Sequence, residues 1–284
     1  MILQAFAKIN LGLRIIERRP DGFHAIETIF HRIALSDEIT LSSAASGIAL
    51  TCSDPSLPAD ETNLCWKAAA CLQKECGSEF GVSMHIRKRI PMGAGLGGGS
   101  SDAAVILRHL PRLWGKRIDD DRLLALGASL GSDVPFFLQD SSAYAEGRGE
   151  LLTPFTLRLP YWIVLVNPGI HVSTPWAYGE FSKRLASGLA VRRGTLFSAA
   201  THAMASLDDA LKNDFEDVVF PAFPAVRALK EELLASGASY ALMSGSGSSV
   251  FGLFDNENDA HRAHKIFSER MFTSLTEPNF IPAL

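Results

Sequence analysis

The stretch that most constrains this chain is residues 91–101, PMGAGLGGGSS, which runs without a break into the apolar, helix-favouring DAAVILRHL. Five glycines stand among the seven positions from Gly93 to Gly99. Without a Cβ, successive backbone N–H groups can converge on one anion, and a helix that follows aims the positive end of its dipole at the same spot. A flexible surface linker is the plainer alternative, but linkers of that kind rarely run straight into an amphipathic helix. The stretch therefore reads as a phosphate cradle.

The glycines alone leave the type of cradle open. Gly93, Gly95 and Gly98 match the dinucleotide pattern GxGxxG, with acidic residues about 20 positions on at Asp119, Asp120 and Asp121. That fingerprint closes the first strand of a βαβ unit and places its acid at the end of the next strand, whereas these acids sit in a polar turn ahead of a second helix. A P-loop requires GK[ST], and Gly99 is followed by Ser100 and Ser101. The decision falls to the remainder of the chain.

A chain of 284 residues, 47% of them hydrophobic, is long enough for one large domain or, as we expect, two modest ones. The net charge of −4, with no basic cluster beyond residues 87–89, gives no field for nucleic acid. The first ten residues, MILQAFAKIN, carry a charge and no apolar core of a leader, and no apolar run approaches the roughly 18 residues that span a bilayer. A cytoplasmic protein without a membrane partner is expected. Cysteines at positions 52, 65, 71 and 76 show no CxxC spacing and read as buried free thiols. His261 and His264 fall on a charged helix and read as a solvated face, not as metal ligands.

Residues 7–14 alternate, with Ala7, Ile9, Leu11 and Leu13 on one face and Lys8, Asn10, Gly12 and Arg14 on the other. Lys8 and Asn10 thus project together, and the small Gly12 leaves room for a ligand on that polar side. Pro20, Asp21 and Gly22 form a turn that sets Phe23 and His24. A hairpin across Ser36 and Asp37 is expected next, then a polar loop and a helix over 64–76 that starts after Asn63 and stops at Gly77. A strand over 82–88 delivers the chain into the glycine stretch, and Pro111 should kink or end the helix that follows. In GSDVPFFL, Asp133 is placed either to cap a short helix or to do chemistry, and spacing cannot separate the two. Strands near 143–145 and 151–153 close the first half. The second half opens with a strand over 161–166 and a helix from Ser173, continues with helices over 207–218 and 225–235, and brings in a second glycine and serine loop, SGSGSS. A helix over 258–270 ends it. An antiparallel sheet with helices on one face is expected there.

A polar-faced strand, a glycine loop and a second glycine and serine loop, far apart in sequence, resemble the GHMP kinase superfamily, which includes homoserine, mevalonate and galactose kinases. Within it, AKINLGL, RPDGFH, ETNL, KRIPMGAGLGGGSSDAA, LGSDVPFF, AEGRGE, NPG with STPWAY, NDFE and MSGSGSSVFG follow in order. Together they resemble the branch whose acceptor is a cytidine diphosphate-linked methylerythritol, over nearly the whole chain.

The resemblance implies an α+β, two-domain GHMP kinase fold. Its N-terminal domain, residues 1–155, is similar to ribosomal protein S5 domain 2 and binds ATP. Its C-terminal domain, residues 156–284, is ferredoxin-like, and the active site lies in the cleft between them. It implies ATP with Mg²⁺ as the phosphoryl donor and the acceptor's tertiary 2-hydroxyl as the target. The catalytic pair falls on Lys8 and Asp133: a hindered alcohol needs a carboxylate placed to take its proton and a cation to orient the two. The donor site takes in Pro91, Met92, Gly93, Ala94, Gly95, Leu96, Gly97, Gly98, Gly99, Ser100 and Ser101, with Asn63 and Lys88 near the adenosine. Ser100 or Ser101 would place a hydroxyl on the phosphate or the metal, and no acidic residue stands out as a Mg²⁺ ligand. The acceptor side takes Asn10, Phe23 and His24, with Thr174 and Tyr178 opposite. Phe23 stands where the branch commonly has tyrosine, which keeps stacking and loses a hydroxyl. A monomer or homodimer is expected. Another kinase of the superfamily is disfavoured by PDGFH and STPWAY, and a non-catalytic binding module by the presence of both Lys8 and Asp133.

Overall fold

The computed structural model describes residues 1–77, 80–186 and 211–282. The first half is a six-stranded sheet: β1 (Ile2–Arg18), β2 (His24–Ala44), β3 (Ile48–Cys52), β4 (Gly81–Arg87), β5 (Ser142–Glu146) and β6 (Leu151–Phe155). Its spine is β2, which pairs antiparallel with β1 along one edge and shares its other edge between β4 and β5. The chain crosses from β3 to its parallel neighbour β4 through α1 (Leu64–Cys76). Asn63 starts this helix by accepting the Cys65 N–H at 2.8 Å, and Gly77, left-handed at φ 56°, stops it. Helices α2 (Gly98–Leu113), α3 (Asp120–Leu130) and α4 (Val134–Phe137) join α1 over one face of the sheet, where Leu72, Ile106, Leu107 and Phe136 bury against Ile39, Met84 and Ile86. Pro111 lies inside α2 and does not end it: the helix runs to Leu113 and closes at left-handed Gly115, φ 66°, whose N–H bonds Arg112 O at 3.1 Å while that of Lys116 bonds Pro111 O at 2.8 Å.

The second half contains β7 (Trp162–Asn167), β8 (Tyr240–Met243), β9 (Val250–Phe254) and β10 (Phe272–Thr276), all antiparallel, in the order β10-β7-β9-β8. Counted along the chain that order is 4-1-3-2, the ferredoxin-like arrangement. Helices α5 (Thr174–Ala186), α6 (Glu216–Ala222), α7 (Pro224–Ala235) and α8 (Glu257–Ser268) cover one face. The other face packs on the first sheet: Ile163, Leu165, Leu242, Phe251 and Leu253 meet Ala7, Ile9, Leu11, Ile29 and Ile33. The layers run helix, sheet, sheet, helix, so β1 and β2 lie at the middle of the molecule.

That central position explains the departures from the sequence reading. The polar side of β1 is buried, with Lys8 4% exposed and Asn10 1%, and both line a cavity. No hairpin breaks at Ser36 and Asp37; β2 runs straight through, and Asp37 is wholly buried with its carboxylate accepting the N–H groups of Arg89 and Ile90. A polar pair looked like a turn because the partners that satisfy it lie on a distant segment. Gly12, at φ 83°, sits in a register shift between Asn10 and Leu13, with its carbonyl taken by the Thr28 hydroxyl, so a backbone irregularity also calls for glycine there. Strands β3 and β10 were not anticipated, and the chain closes on β10 beyond the last helix. The helix expected over 207–218 begins outside the described residues. Within them it starts only at Glu216, because residues 212–214 instead pair with the backbone of Leu13 and Ile15. Of the thiols, only Cys65 is buried; Cys52, Cys71 and Cys76 are partly exposed, and all four are free.

Candidate active site

The two glycine loops meet. A Cβ on Gly95, at φ 78°, would lie 2.0 Å from the carbonyl oxygen of Ser244, so only glycine permits this approach. The Ser244 hydroxyl donates to Gly95 O at 2.9 Å and accepts the Asn10 N–H at 3.3 Å, which ties β1 to both loops. Asn213 fixes the second loop from beneath, donating at 2.7 Å to Met243 O and Gly245 O, and Glu216 accepts the Met243 N–H at 2.9 Å.

Lys8 projects into this junction. Its ammonium donates to Asn10 Oδ1 at 2.7 Å and Gly95 O at 3.2 Å, and lies 3.6 Å from Asp133 Oδ2. Burial lowers the Lys8 pKa, and the Asp133 charge opposes that shift. Phe30 lies under the ammonium at 4.9 Å. Asp133 is the residue preceding α4, yet its side chain makes no capping bond, which leaves the carboxylate to Lys8 and solvent at 28% exposure. Arg32 and Arg108 hold α4 in place from the far end: Arg32 donates to the carbonyls of Phe136 and Gln139, and Arg108 to that of Leu138.

Two cavities open from this point. The larger, about 1070 Å³, is walled by β1, the 22–24 turn, residues 128–133, Arg148, α5 and Gly245. The smaller, about 440 Å³, is walled by residues 91–100, Asn63, Lys88 and Asp102. They share Gly95, Gly97 and Ser100. The two serines separate: Ser101 is buried with its hydroxyl given to Phe6 O at 2.8 Å, whereas Ser100 lines both cavities. Asn63 lines the smaller one with its amide already engaged by Cys65 N–H and Pro58 O. The ammonium of Lys88 is held by Asp37 and Asp102.

In the larger cavity, His24 and Tyr178 stack with centroids 4.8 Å apart and planes 16° from parallel. Ser182 gives its proton to Tyr178 O at 2.9 Å, so it accepts from His24 Nε2 at 2.7 Å, and the network assigns Nδ1 as the free acceptor. Burial, aided by Arg18, lowers the His24 pKa and keeps the ring neutral. Burial, then the Asp133 charge, pushes the Tyr178 phenol up to about 12. Phe23 stands 54% exposed at the rim beneath the Arg148 guanidinium, 4.8 Å away. Thr174 is hydrogen-bonded to Ser246 at 2.8 Å. Sequence reasoning missed Arg18, Arg148, Ser182, Asn213, Asp37 and Asp102. Arg148, Asn213 and Asp102 lie in the AEGRGE, NDFE and KRIPMGAGLGGGSSDAA motifs without a role of their own there, Asp37 read as a turn, and Arg18 and Ser182 carried no local signal.

Residues 63–141 match the model of the GHMP kinases N terminal domain, and residues 186–272 that of the GHMP kinases C terminal. The chain is 47% identical over 279 residues to the 4-diphosphocytidyl-2-C-methyl-D-erythritol kinase of Chlorobium phaeobacteroides (strain BS1), covering 98% of this chain and 97% of that one. A solved structure of 4-(cytidine 5'-diphospho)-2C-methyl-D-erythritol kinase superposes with a TM-score of 0.82 at 35% identity, covering 97% and 98% of the two chains. Homoserine kinase from Cytophaga hutchinsonii shares the fold, with a TM-score of 0.65 over 96% and 95% of the chains, at 17% identity.

Proposed function

The chain belongs to the GHMP kinases, in the family of 4-diphosphocytidyl-2-C-methyl-D-erythritol kinases, and from that membership we propose how its residues divide the reaction. The reaction is ATP-dependent phosphorylation of the acceptor's 2-hydroxyl, giving the 2-phosphate and ADP on the non-mevalonate route to isoprenoid precursors. Two cavities that share Gly95, Gly97 and Ser100, where Lys8 and Asp133 face each other, carry the reading. ATP occupies the smaller cavity, with its triphosphate along residues 91–101 and its γ group at the shared rim. The acceptor occupies the larger one.

Phosphoryl transfer demands little covalent chemistry from a protein and much positioning and charge stabilisation. Asp133 accepts the proton of the 2-hydroxyl by virtue of its placement at the shared rim. Lys8 holds that carboxylate and, through Gly95 O, the donor loop, so one cation aligns both reactants. The N-terminus of α2 faces the phosphates with its backbone donors. The neutral His24, with Nδ1 free, and the ring of Tyr178 suit a pyrimidine, and Arg18 and Arg148 give the chamber the positive charge a diphosphate requires. Asn10 and Thr174 line the same chamber, and Phe23 flanks its mouth.

Among the described residues no three His, Cys, Asp or Glu side chains converge on a metal position. The Ser100 hydroxyl at the shared rim fits a Mg²⁺ carried in on the nucleotide and held mainly by phosphate and water. Such an ion neutralises charge on the phosphates. We divide the chain into domains 1–155 and 156–284 with the reaction in the cleft between them, since walls of the acceptor chamber come from both. Among the described residues no helix is long and apolar enough to cross a membrane. The free thiols suit a cytoplasmic location, and we keep the chain as a monomer or homodimer.

The test is direct: purified protein with Mg-ATP consumes the diphosphocytidyl methylerythritol and leaves homoserine and mevalonate untouched. Comparable turnover of either competitor contradicts the assignment.

A further inference from the structure

Three buried charges lie against the glycine loop and take no part in the reaction as described. Lys88 Nζ pairs with Asp37 and, at 3.0 Å, with Asp102, and the three side chains are 6%, 0% and 3% exposed. They come from three elements: Asp37 from β2, Lys88 from the segment leaving β4, and Asp102 from the first turns of α2. Lys88 lies just ahead of the loop and Asp102 directly behind it. The second oxygen of Asp37 accepts the N–H groups of Arg89 at 2.6 Å and Ile90 at 2.9 Å, which fixes the backbone entering the loop. A Cβ on Gly98 would lie 3.0 Å from Lys88 Nζ, so the cluster packs directly against the loop's last glycines.

A lysine beside a phosphate loop invites the role of a phosphate ligand. Here two carboxylates already surround the ammonium, and they give the cluster a net negative charge when both are ionised. A buried pair of this kind is costly to break, because whichever partner remains is left without its counter-charge. Asp102 also keeps one oxygen buried without a partner, so the cluster sits close to the limit of what burial tolerates.

We infer that Asp37, Lys88 and Asp102 form a clasp that holds both ends of the glycine loop in its nucleotide-binding shape, with Lys88 acting through the loop and not on the phosphates. The inference rests on residues 91–101 being the ATP site. It makes Lys88 a positioning residue, and the same geometry gives Asp37 and Asp102 a part in ATP affinity.

Steady-state kinetics on the full chain, with ATP and acceptor varied separately, tests it. Lys88→Met should raise KM for ATP about tenfold and leave the acceptor KM within about twofold, since two carboxylates lose their counter-charge and the loop loses its anchor. Adding Asp102→Asn removes one of those carboxylates and should bring the ATP KM at least about threefold back toward wild type. A double variant no better than Lys88→Met is what a direct phosphate ligand gives, and it overturns the clasp while the loop remains the ATP site. A Lys88→Met effect confined to the acceptor KM instead overturns the loop assignment. A fall in melting temperature with neither KM moved reduces the cluster to fold stability and also overturns the clasp. Should Lys88→Met fail to fold, Asp37→Asn decides. The clasp predicts an ATP KM raised about fivefold, whereas a phosphate-binding Lys88 freed of a competitor would hold or lower it.

Discussion

The molecule contains two lysine and aspartate associations at its centre, and they are built in opposite ways. Lys8 and Asp133 stand 3.6 Å apart in the larger cavity, with Asp133 28% exposed and free of any capping bond, and Lys8 bonds Gly95, which both cavities share. Lys88, Asp37 and Asp102 are in direct contact, all nearly inaccessible, with Asp37 also bonded to backbone. Chemistry needs the first arrangement, because a carboxylate that already has its full set of partners cannot accept a substrate's proton. Holding a loop still needs the second. Both set a lysine against aspartate, and exposure and separation distinguish them: 3.6 Å with a part-exposed carboxylate in the first, direct contact out of solvent in the second.

Substitutions that strike one association and spare the other break or sharpen this contrast. The largest effect is expected for Asp133→Asn, which should lower kcat about a thousandfold while ATP binding measured by calorimetry stays within about twofold. Near-normal turnover would make Asp133 merely the residue ahead of α4. Lys8→Met should lower kcat about a hundredfold, with a smaller change in KM for ATP, since its ammonium also bonds Gly95 of the donor loop; an effect on KM alone would move Lys8 to the binding side. Gly95→Ala should cost about tenfold in kcat, because its Cβ would collide with Ser244 O and push the donor loop off Lys8. Wild-type kinetics for that variant would mean the two loops need not touch.

The smallest effect is a dependence of stability on pH. Burial, with the Asp37 charge, pushes the Asp102 carboxyl up to about 7 against the pull of Lys88, with Cys65 also close by. Lys88, opposed by its own burial, is raised by the two carboxylates. A carboxyl raised in the folded state contributes stability that is fully present below its unfolded pKa and is lost as pH rises through the folded one. The advantage of Asp102→Asn over wild type in thermal unfolding should therefore grow between about pH 4 and 7 and then level off. A constant difference across that range would show that Asp102 stays ionised throughout.

Much of the site was legible in the sequence because its signals are local. Glycines at 93–99 entering a helix, the alternation around Lys8 and the polar residues before Pro135 need only neighbours to be read. The glycine loop could therefore be read from its neighbours alone, whereas Lys8 and Asp133 were paired only by the resemblance, since spacing leaves Asp133 between a cap and chemistry. What stayed hidden depends on partners far along the chain. Asp37 resembled a turn because its bonds go to Lys88, Arg89 and Ile90, about fifty residues on. The burial of Lys8 and Asn10 comes from Gly95, Ser244, Asp133 and Phe30 closing over their side of β1, partners that alternation within β1 cannot reveal. The stacking of Tyr178 on His24 joins residues from the two halves. Residues 211–215 are non-helical because they bond to a register shift in β1, an irregularity with no trace in their own composition.

The division of labour is tested most directly by measuring kcat and KM for ATP of Asp133→Asn and Lys88→Met side by side in one assay. The account predicts opposite outcomes: kcat lost with KM for ATP nearly unchanged in the first, and KM for ATP raised with kcat largely kept in the second. The same pattern in both variants would contradict it, because the two associations would then be doing one job.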